Sequence, residues 1–255
     1  MLKGLGAIAI DGVFPPRCCG CGRLYRRQRA AKASADQFGG VVQELPVTLD
    51  KYLCDRCTRS IEPIRSPFCT HCGRPFDSRQ GVDHICGRCQ EDPFCFSIAR
   101  SAGVYGHALK EMICQYKYKF RAELAVPLSR LLWRTLRLHW NPEEIDCIIP
   151  VPLHNRRLRE RGFNQSELMI RQWPGLAWAQ GIPLDKNKLS IRSLIRCRYT
   201  PPQTGLDRNQ RTANLRHAFE LTDPAAVQGR RVLLVDDVLT EGAAAEPLPR
   251  LTSEP

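Results

Sequence analysis

Eight cysteines of the 255-residue chain stand in four Cys-x-x-Cys pairs: Cys18/Cys21, Cys54/Cys57, Cys69/Cys72 and Cys86/Cys89. In such a turn both thiolates can face one ion, and two turns complete a tetrahedron with Zn–S distances of about 2.3 Å. Gly22, Gly73 and Gly87 follow cysteines where a tight knuckle benefits from glycine backbone. The last two pairs are 13 residues apart, the spacing of a zinc ribbon; the first two are farther apart. The pattern predicts two structural zinc ions, one on each successive quartet. A thioredoxin-type redox motif fits less well, because no βαβ pattern surrounds any pair. His71 and His84 read as solvated loop histidines, and Cys19 and Cys95 as spare thiols. Cys114, Cys147 and Cys197 read as packing residues.

A second cluster of chemistry lies near the other end. Residues 232–242 read VLLVDDVLTEG, an apolar strand running into Asp236 and Asp237 and then a short loop with Thr240 and Gly242. Paired aspartates at a strand's carboxyl end suit a diol and its metal ion, and such a loop offers backbone N–H groups to an anion. The same pattern is compatible with a solvated turn. Between 186 and 216, eight basic residues face only Asp207, and Arg156, Arg157, Arg159 and Arg161 form another cluster against Glu160. Such an excess suits a polyphosphate or a single nucleic-acid strand. Tyr116, Tyr118 and Phe120 alternate with Lys117 and Lys119. They could stack on bases, although packing is the commoner role at that spacing.

Elements must position these groups. Residues 1–95 hold ten of the 13 cysteines, are poor in long apolar runs, and need a metal staple to fold. The polar segment Leu24–Val47 reads as a flexible excursion. From about residue 96 the character changes, and we place a domain boundary there. Ser97–Tyr105 and Asp146–Val151 read as strands, and Arg231–Val235 as another. His107–Tyr118 and Ala122–Trp140 read as helices, the second with Leu124, Leu128, Leu131, Leu132 and Leu136 on one side. Asn164 with Glu167 three residues on marks a helix start, which Pro174 ends or kinks. Strands alternating with helices predict a parallel α/β sheet.

Composition narrows the class. Hydrophobic residues are 43% and charged residues 25%, which excludes wholesale disorder. No run approaches the ~20 apolar residues of a membrane span, and the amino-terminal run lacks signal-peptide character. A soluble cytoplasmic protein is the expectation, and with it reduced, metal-binding cysteines rather than disulfides. The net charge is +12; each zinc tetrathiolate carries −2, so two of them take it to +8.

Segments IIPVPLHNRRLRERGFNQ (148–165), TPPQTGLDRNQRTANLRHAF (200–219) and VLLVDDVLTEG, behind cysteine ribbons, resemble the ComF/GntX family of competence-related, amidophosphoribosyltransferase-like proteins. The resemblance implies a double zinc ribbon over 1–95 and a type I phosphoribosyltransferase-like domain over 96–255. It implies binding of phosphoribosyl pyrophosphate with Mg²⁺. Asp236 and Asp237 would face the ribose. Thr240 and the N–H groups of Glu241, Gly242, Ala243 and Ala244 would face the 5′-phosphate. The turn after Pro150-Val151-Pro152 would form a pyrophosphate loop with Arg156, Arg157 and Arg161, and residues 200–219 a mobile cover. Catalysis in that class is charge stabilisation as pyrophosphate leaves, without a covalent nucleophile. The family also implies association with DNA uptake, with single-stranded DNA and a competence-machinery protein as partners. Its loop reads TTGAT; here it is TEGAA, which sets a carboxylate beside a phosphate. Pro247, Pro249 and Pro255 then oppose a packed helix. The expectation is a transferase-like domain truncated or altered at its carboxyl end, with an atypical tail over about 243–255 and weak or no transferase activity.

Overall fold

A computed structural model describes residues 15–26, 49–78, 80–92, 94–200 and 217–239. The expected phosphate loop from Thr240, the tail, most of the 200–219 cover and most of the Leu24–Val47 excursion lie outside the described residues. The chain forms two compact units. One holds the residues up to Pro63 with Ala102–Leu131; the other holds Ile64–Ser101 and the chain from Leu132 onward. Each unit therefore contains one cysteine quartet.

In the first unit, helix α1 (Asp55–Arg59) follows Cys54. Helix α3 (His107–Tyr118) has the expected bounds and buries Ala108, Leu109, Met112, Ile113 and Tyr116 along one face. A 3-10 turn (Ala122–Leu124) leads into helix α4 (Ala125–His139), of which the residues up to Leu131 belong to this unit and the rest to the second. Leu124, Leu128 and Leu131 are buried here, as the leucine spacing predicts.

The second unit begins with the other ribbon, which contains helix α2 (Gly87–Glu91). Its α/β part has strands β1 (Cys147–Pro150), β2 (Leu194–Arg196), β3 (Phe219–Leu221) and β4 (Val232–Val235). Between β1 and β2 run helices α5 (Asn155–Arg161), α6 (Gln165–Ile170) and α7 (Trp173–Trp178). β1 and β4 pair in parallel, Cys147 opposite Val232 and Pro150 opposite Val235. Leu189 bridges the other edge of β1 in parallel at Ile148. β2 and β3 form a separate antiparallel hairpin.

β1 is buried throughout and β4 is packed on both faces though only partly buried, which explains their unbroken apolar runs. Cys147, Ile149 and Val151 pack with Val232 and Leu234 against Leu194, Phe219 and Val227. Ile148, Leu233 and Val235 pack on the opposite side against Trp133, Leu136, Ile170 and Trp173. The α/β class with an amino-terminal double ribbon is as expected. Asn164 caps α6, its side chain accepting from the N–H groups of Ser166 and Glu167 at 3.0 and 3.3 Å. Pro174 lies in the first turn of α7, so α6 stops before it.

Ser97–Tyr105 is not a strand. Ala99 N–H donates to the His71 carbonyl and Val104 N–H to that of Glu62, single bonds onto loops rather than a ladder. Gly103 also lies where a Cβ would come within 2.9 Å of the Glu62 carbonyl oxygen, a close approach no ordinary strand residue would make.

Candidate metal centres and a strand-end anion site

The four sulfurs of Cys18, Cys21, Cys54 and Cys57 lie within 4.8 Å of one another, as do those of Cys69, Cys72, Cys86 and Cys89. Cys21 and Cys54 Sγ are 3.9 Å apart, and Cys72 and Cys86 Sγ 4.0 Å. A tetrahedron of sulfurs about 2.3 Å from zinc has edges of about 3.8 Å. All thirteen cysteines are free thiols, so no disulfide competes for these sulfurs. Both quartets thus fit zinc, and four thiolates leave no open coordination position, which makes the sites structural.

The backbone prepares them. Cys18 Sγ accepts from the N–H groups of Gly20 and Cys54, each at 3.3 Å, and Cys69 Sγ from that of Cys86 at 3.3 Å. Burial raises the Cys18 thiol, but donors from Cys54, Cys21 and Gly20 outweigh it and bring it down to about 7. Burial likewise raises Cys69, and the N–H groups of Cys86, Cys72 and His71 bring it to about 6. Cys57 and Cys89 are pushed up, first by burial and then by their neighbouring thiols. The backbone donors thus favour thiolates at Cys18 and Cys69, and a bound zinc ion would favour thiolates throughout each quartet.

His71 and His84 do not belong to these clusters. His84 is exposed, as expected, and stacks on Phe76 at 4.1 Å. His71 is not a solvated loop residue: its ring stacks on Phe96 at 5.1 Å and near Phe94 at 6.2 Å. Cys147 packs in the core, whereas Cys197 is exposed, its sulfur near the His217 and Ala218 carbonyls.

The second site lies at the carboxyl ends of β1 and β4. Their in-register pairing, continued by Val151 N–H to Val235 O at 2.9 Å, brings the turn after β1 and the start of Asp236-Asp237 side by side. Asp236 Oδ1 accepts from Ser166 Oγ at 3.2 Å and from the Asp237 N–H at 2.8 Å. Ser166 is fixed because Asn164, which caps α6, also donates to the Val151 carbonyl at 3.1 Å. Of the arginines after β1, Arg161 donates to buried Gln165 Oε1 at 2.9 Å and Arg157 to the Thr200 carbonyl at 3.3 Å. Arg156 is more exposed, pairs with Glu160 at 3.1 Å, and lies 4.8 Å over the Tyr199 ring. Sequence reading did not single out Gln165, Ser166 or Tyr199. The readable cap at Asn164 was the available signal for the first two, because it fixes which side chains begin α6.

Among the described residues no helix is long and apolar enough to cross a membrane. Tyr116 is buried, but Tyr118 and Phe120 are each 66% exposed, so only the first of the three plays the packing role. Phe120 sits at φ +53°, a conformation that costs a non-glycine residue free energy.

Residues 44–90 match the family model described as a double zinc ribbon domain. The DNA utilization protein YhgH of Salmonella typhi is 32% identical over 215 residues, covering 81% of this chain and 87% of that protein. Competence protein F of Haemophilus influenzae is 30% identical over 204 residues, 78% of this chain and 83% of that one. Competence protein ComFC of Bacillus subtilis is 26% identical over 200 residues, 76% and 75% of the two chains. No solved structure matches. With relatives at least 30% identical covering about four fifths of its length, the chain belongs to the ComF family.

Proposed function

We propose that the protein binds phosphoribosyl pyrophosphate with Mg²⁺ at the carboxyl ends of β1 and β4, and that it serves DNA uptake or utilisation. The ribbons (1–95) would be a metal-stapled scaffold and 96–255 the substrate-binding part. The observation that carries this reading is the adjacency of Asp236-Asp237 to the arginine-bearing turn after β1, at neighbouring ends of two parallel strands. That is where open α/β sheets bind ligands. In this reading Asp236 and Asp237 accept from the ribose hydroxyls, and Arg156, Arg157 and Arg161 take up the pyrophosphate charge. Thr240 and the amides of Glu241, Gly242, Ala243 and Ala244 would hold the 5′-phosphate, with Glu241 weakening that grip. The names of the relatives, one for DNA utilisation and two for competence, support the biological part.

Calorimetry with phosphoribosyl pyrophosphate tests the reading. Binding should require Mg²⁺ and fall at least about 10-fold in Asp236→Asn and Asp237→Asn, as loss of a charge-assisted hydrogen bond implies. Glu241→Thr should tighten it. Magnesium-independent binding that ignores both aspartates would sink the proposal.

A second reading is supported by exposed Tyr118 and Phe120 beside Lys117 and Lys119. Exposed rings interleaved with cations suit base stacking on a single strand. Salt-sensitive binding of a single-stranded oligonucleotide, lost in a Tyr118→Ala/Phe120→Ala double variant but kept in Asp236→Asn, would establish it.

A further inference from the structure

Arg196 ends β2, on the hairpin rather than on the turn after β1. Its guanidinium lies 5.2 Å over the Phe219 ring, and one terminal nitrogen donates to the Thr200 hydroxyl. Thr200 is buried, and its carbonyl takes the bond from Arg157. Two guanidinium groups are thus drawn onto the same residue from different elements. Arg161 also acts on Arg196 electrostatically, opposed by Asp236. The Arg196 Nε is buried and has no hydrogen-bond partner among the described residues. A buried donor without a partner is costly, and cations gathered this closely repel. An anion with several oxygens at short spacing would resolve both: it would accept from Arg196 and offset the repulsion among the neighbouring guanidinium groups.

We infer that Arg196 is an anion ligand that, with Arg157 and Arg161, grips two adjacent phosphate groups, so that the β2–β3 hairpin supplies part of the diphosphate site. This rests on the phosphoribosyl pyrophosphate reading only for what is attached to the diphosphate. Arg157 is held on its Thr200 side, and the Tyr199 ring lies under both Arg156 and Arg157, at 4.8 and 5.8 Å. The hairpin thereby also orients the arginines that come from α5.

The test is calorimetry of the zinc-loaded full chain with inorganic pyrophosphate, phosphate, ribose 5-phosphate and phosphoribosyl pyrophosphate. Arg196→Gln should weaken pyrophosphate roughly 10- to 100-fold, the effect of removing a charged hydrogen-bonding partner. Arg196→Lys should lose less, because charge survives without the fork. Ribose 5-phosphate should bind the Arg196→Gln variant as it binds the parent. Arg230→Gln, exposed at the opposite, amino end of β4, should change nothing. Thermal melting checks the fold of each variant, and Arg157→Gln, which leaves the Phe219 packing of Arg196 intact, should show the same selective loss. The inference is overturned if the parent protein does not bind pyrophosphate, or if Arg196→Gln and Arg157→Gln bind it unchanged. If pyrophosphate depends on Arg196 but phosphoribosyl pyrophosphate binds no tighter, the diphosphate site stands and the pentose reading falls. If phosphoribosyl pyrophosphate binds parent and Arg196→Gln equally, the reading stands and this inference falls.

Discussion

The two ribbons repeat each other bond for bond while sharing few residues beyond cysteine, glycine and arginine. Cys18 N–H donates to Arg23 O and Gly22 N–H to Cys18 O; Cys69 N–H donates to Arg74 O and Gly73 N–H to Cys69 O. Cys19 N–H reaches Tyr52 O, two residues before Cys54, and Thr70 N–H reaches His84 O, two residues before Cys86. Tyr25 N–H returns to Pro16 O, and Phe76 N–H to Pro67 O. What differs is what each knuckle leans on. In the first ribbon Gly20 faces Cys57 and Ala108 so closely that a Cβ would lie 2.8 Å from the Cys57 sulfur. In the second, the equivalent position is His71, whose ring joins an aromatic stack. The lesson is that metal and backbone fix the ribbon, leaving the non-ligand positions to adapt to whichever unit each ribbon serves.

The largest expected effect comes from breaking one quartet at a time. Cys57→Ser and Cys89→Ser should each reduce bound zinc from two ions per chain to one. Binding free energy at a structural zinc is folding free energy, on the order of 10 kcal/mol in small zinc domains, so each should unfold its own ribbon. Metal analysis with limited proteolysis reads both. A variant losing both ions would show that the ribbons are metallated as a single cooperative unit, not as two independent ones.

Glycine substitutions sharpen the comparison with a smaller effect. Gly22 and Gly73 hold equivalent positions at φ +72° and +73°. At Gly22 a Cβ meets nothing within 4 Å, whereas at Gly73 it would lie 2.5 Å from the Ala99 carbonyl oxygen. Gly22→Ala should cost about 1–2 kcal/mol, the left-handed penalty alone. Gly73→Ala adds a backbone clash and should cost roughly 2–4 kcal/mol in total. Equal losses in thermal or denaturant unfolding would mean that the 97–105 segment does not seat on the second ribbon in this way.

Much of this was legible in the residues. The 13-residue spacing identified the second quartet, because ligand geometry acts locally. Pairing Cys18/Cys21 with Cys54/Cys57 was the less secure step, since it depends on a bond from Cys54 N–H to Cys18 Sγ across 36 positions. Strands β1 and β4 could be read because packing on both faces demands continuous apolar runs. The alternation at Tyr116, Tyr118 and Phe120 did not predict their exposure: the first two lie on a helix and Phe120 just beyond it, so a period of two carries no face information there. Residues 97–105 look like a strand in composition, yet backbone bonds reach only single carbonyls of ribbon and linker. At the anion site the aspartates were readable from their place at a strand's end. Arg196 was not distinguished from its basic neighbours, because its contacts with Phe219 and Thr200 arise only in the folded chain.

The smallest contrast concerns how each knuckle carbonyl is satisfied. Gln115, on α3, donates to the Cys19 carbonyl at 2.6 Å; at the equivalent place Arg100 donates to the Thr70 carbonyl at 3.0 Å and also to Ala99 O at 2.7 Å. Arg100 further lies 5.0 Å over the Phe68 ring. A neutral amide bond contributes about 1 kcal/mol and bonds from a charged donor about 1.5–3 kcal/mol. Gln115→Ala should therefore cost about 1 kcal/mol and Arg100→Ala about 2–3 kcal/mol by denaturant unfolding of zinc-loaded protein, with zinc content unchanged in both. The bond donors explain this order better than burial does, because Arg100→Lys keeps a cation but loses the fork that reaches two carbonyls. It should recover only part of the loss. Full recovery by lysine would mean that charge near the thiolates, not the geometry of the knuckle, is what the second ribbon requires from this position.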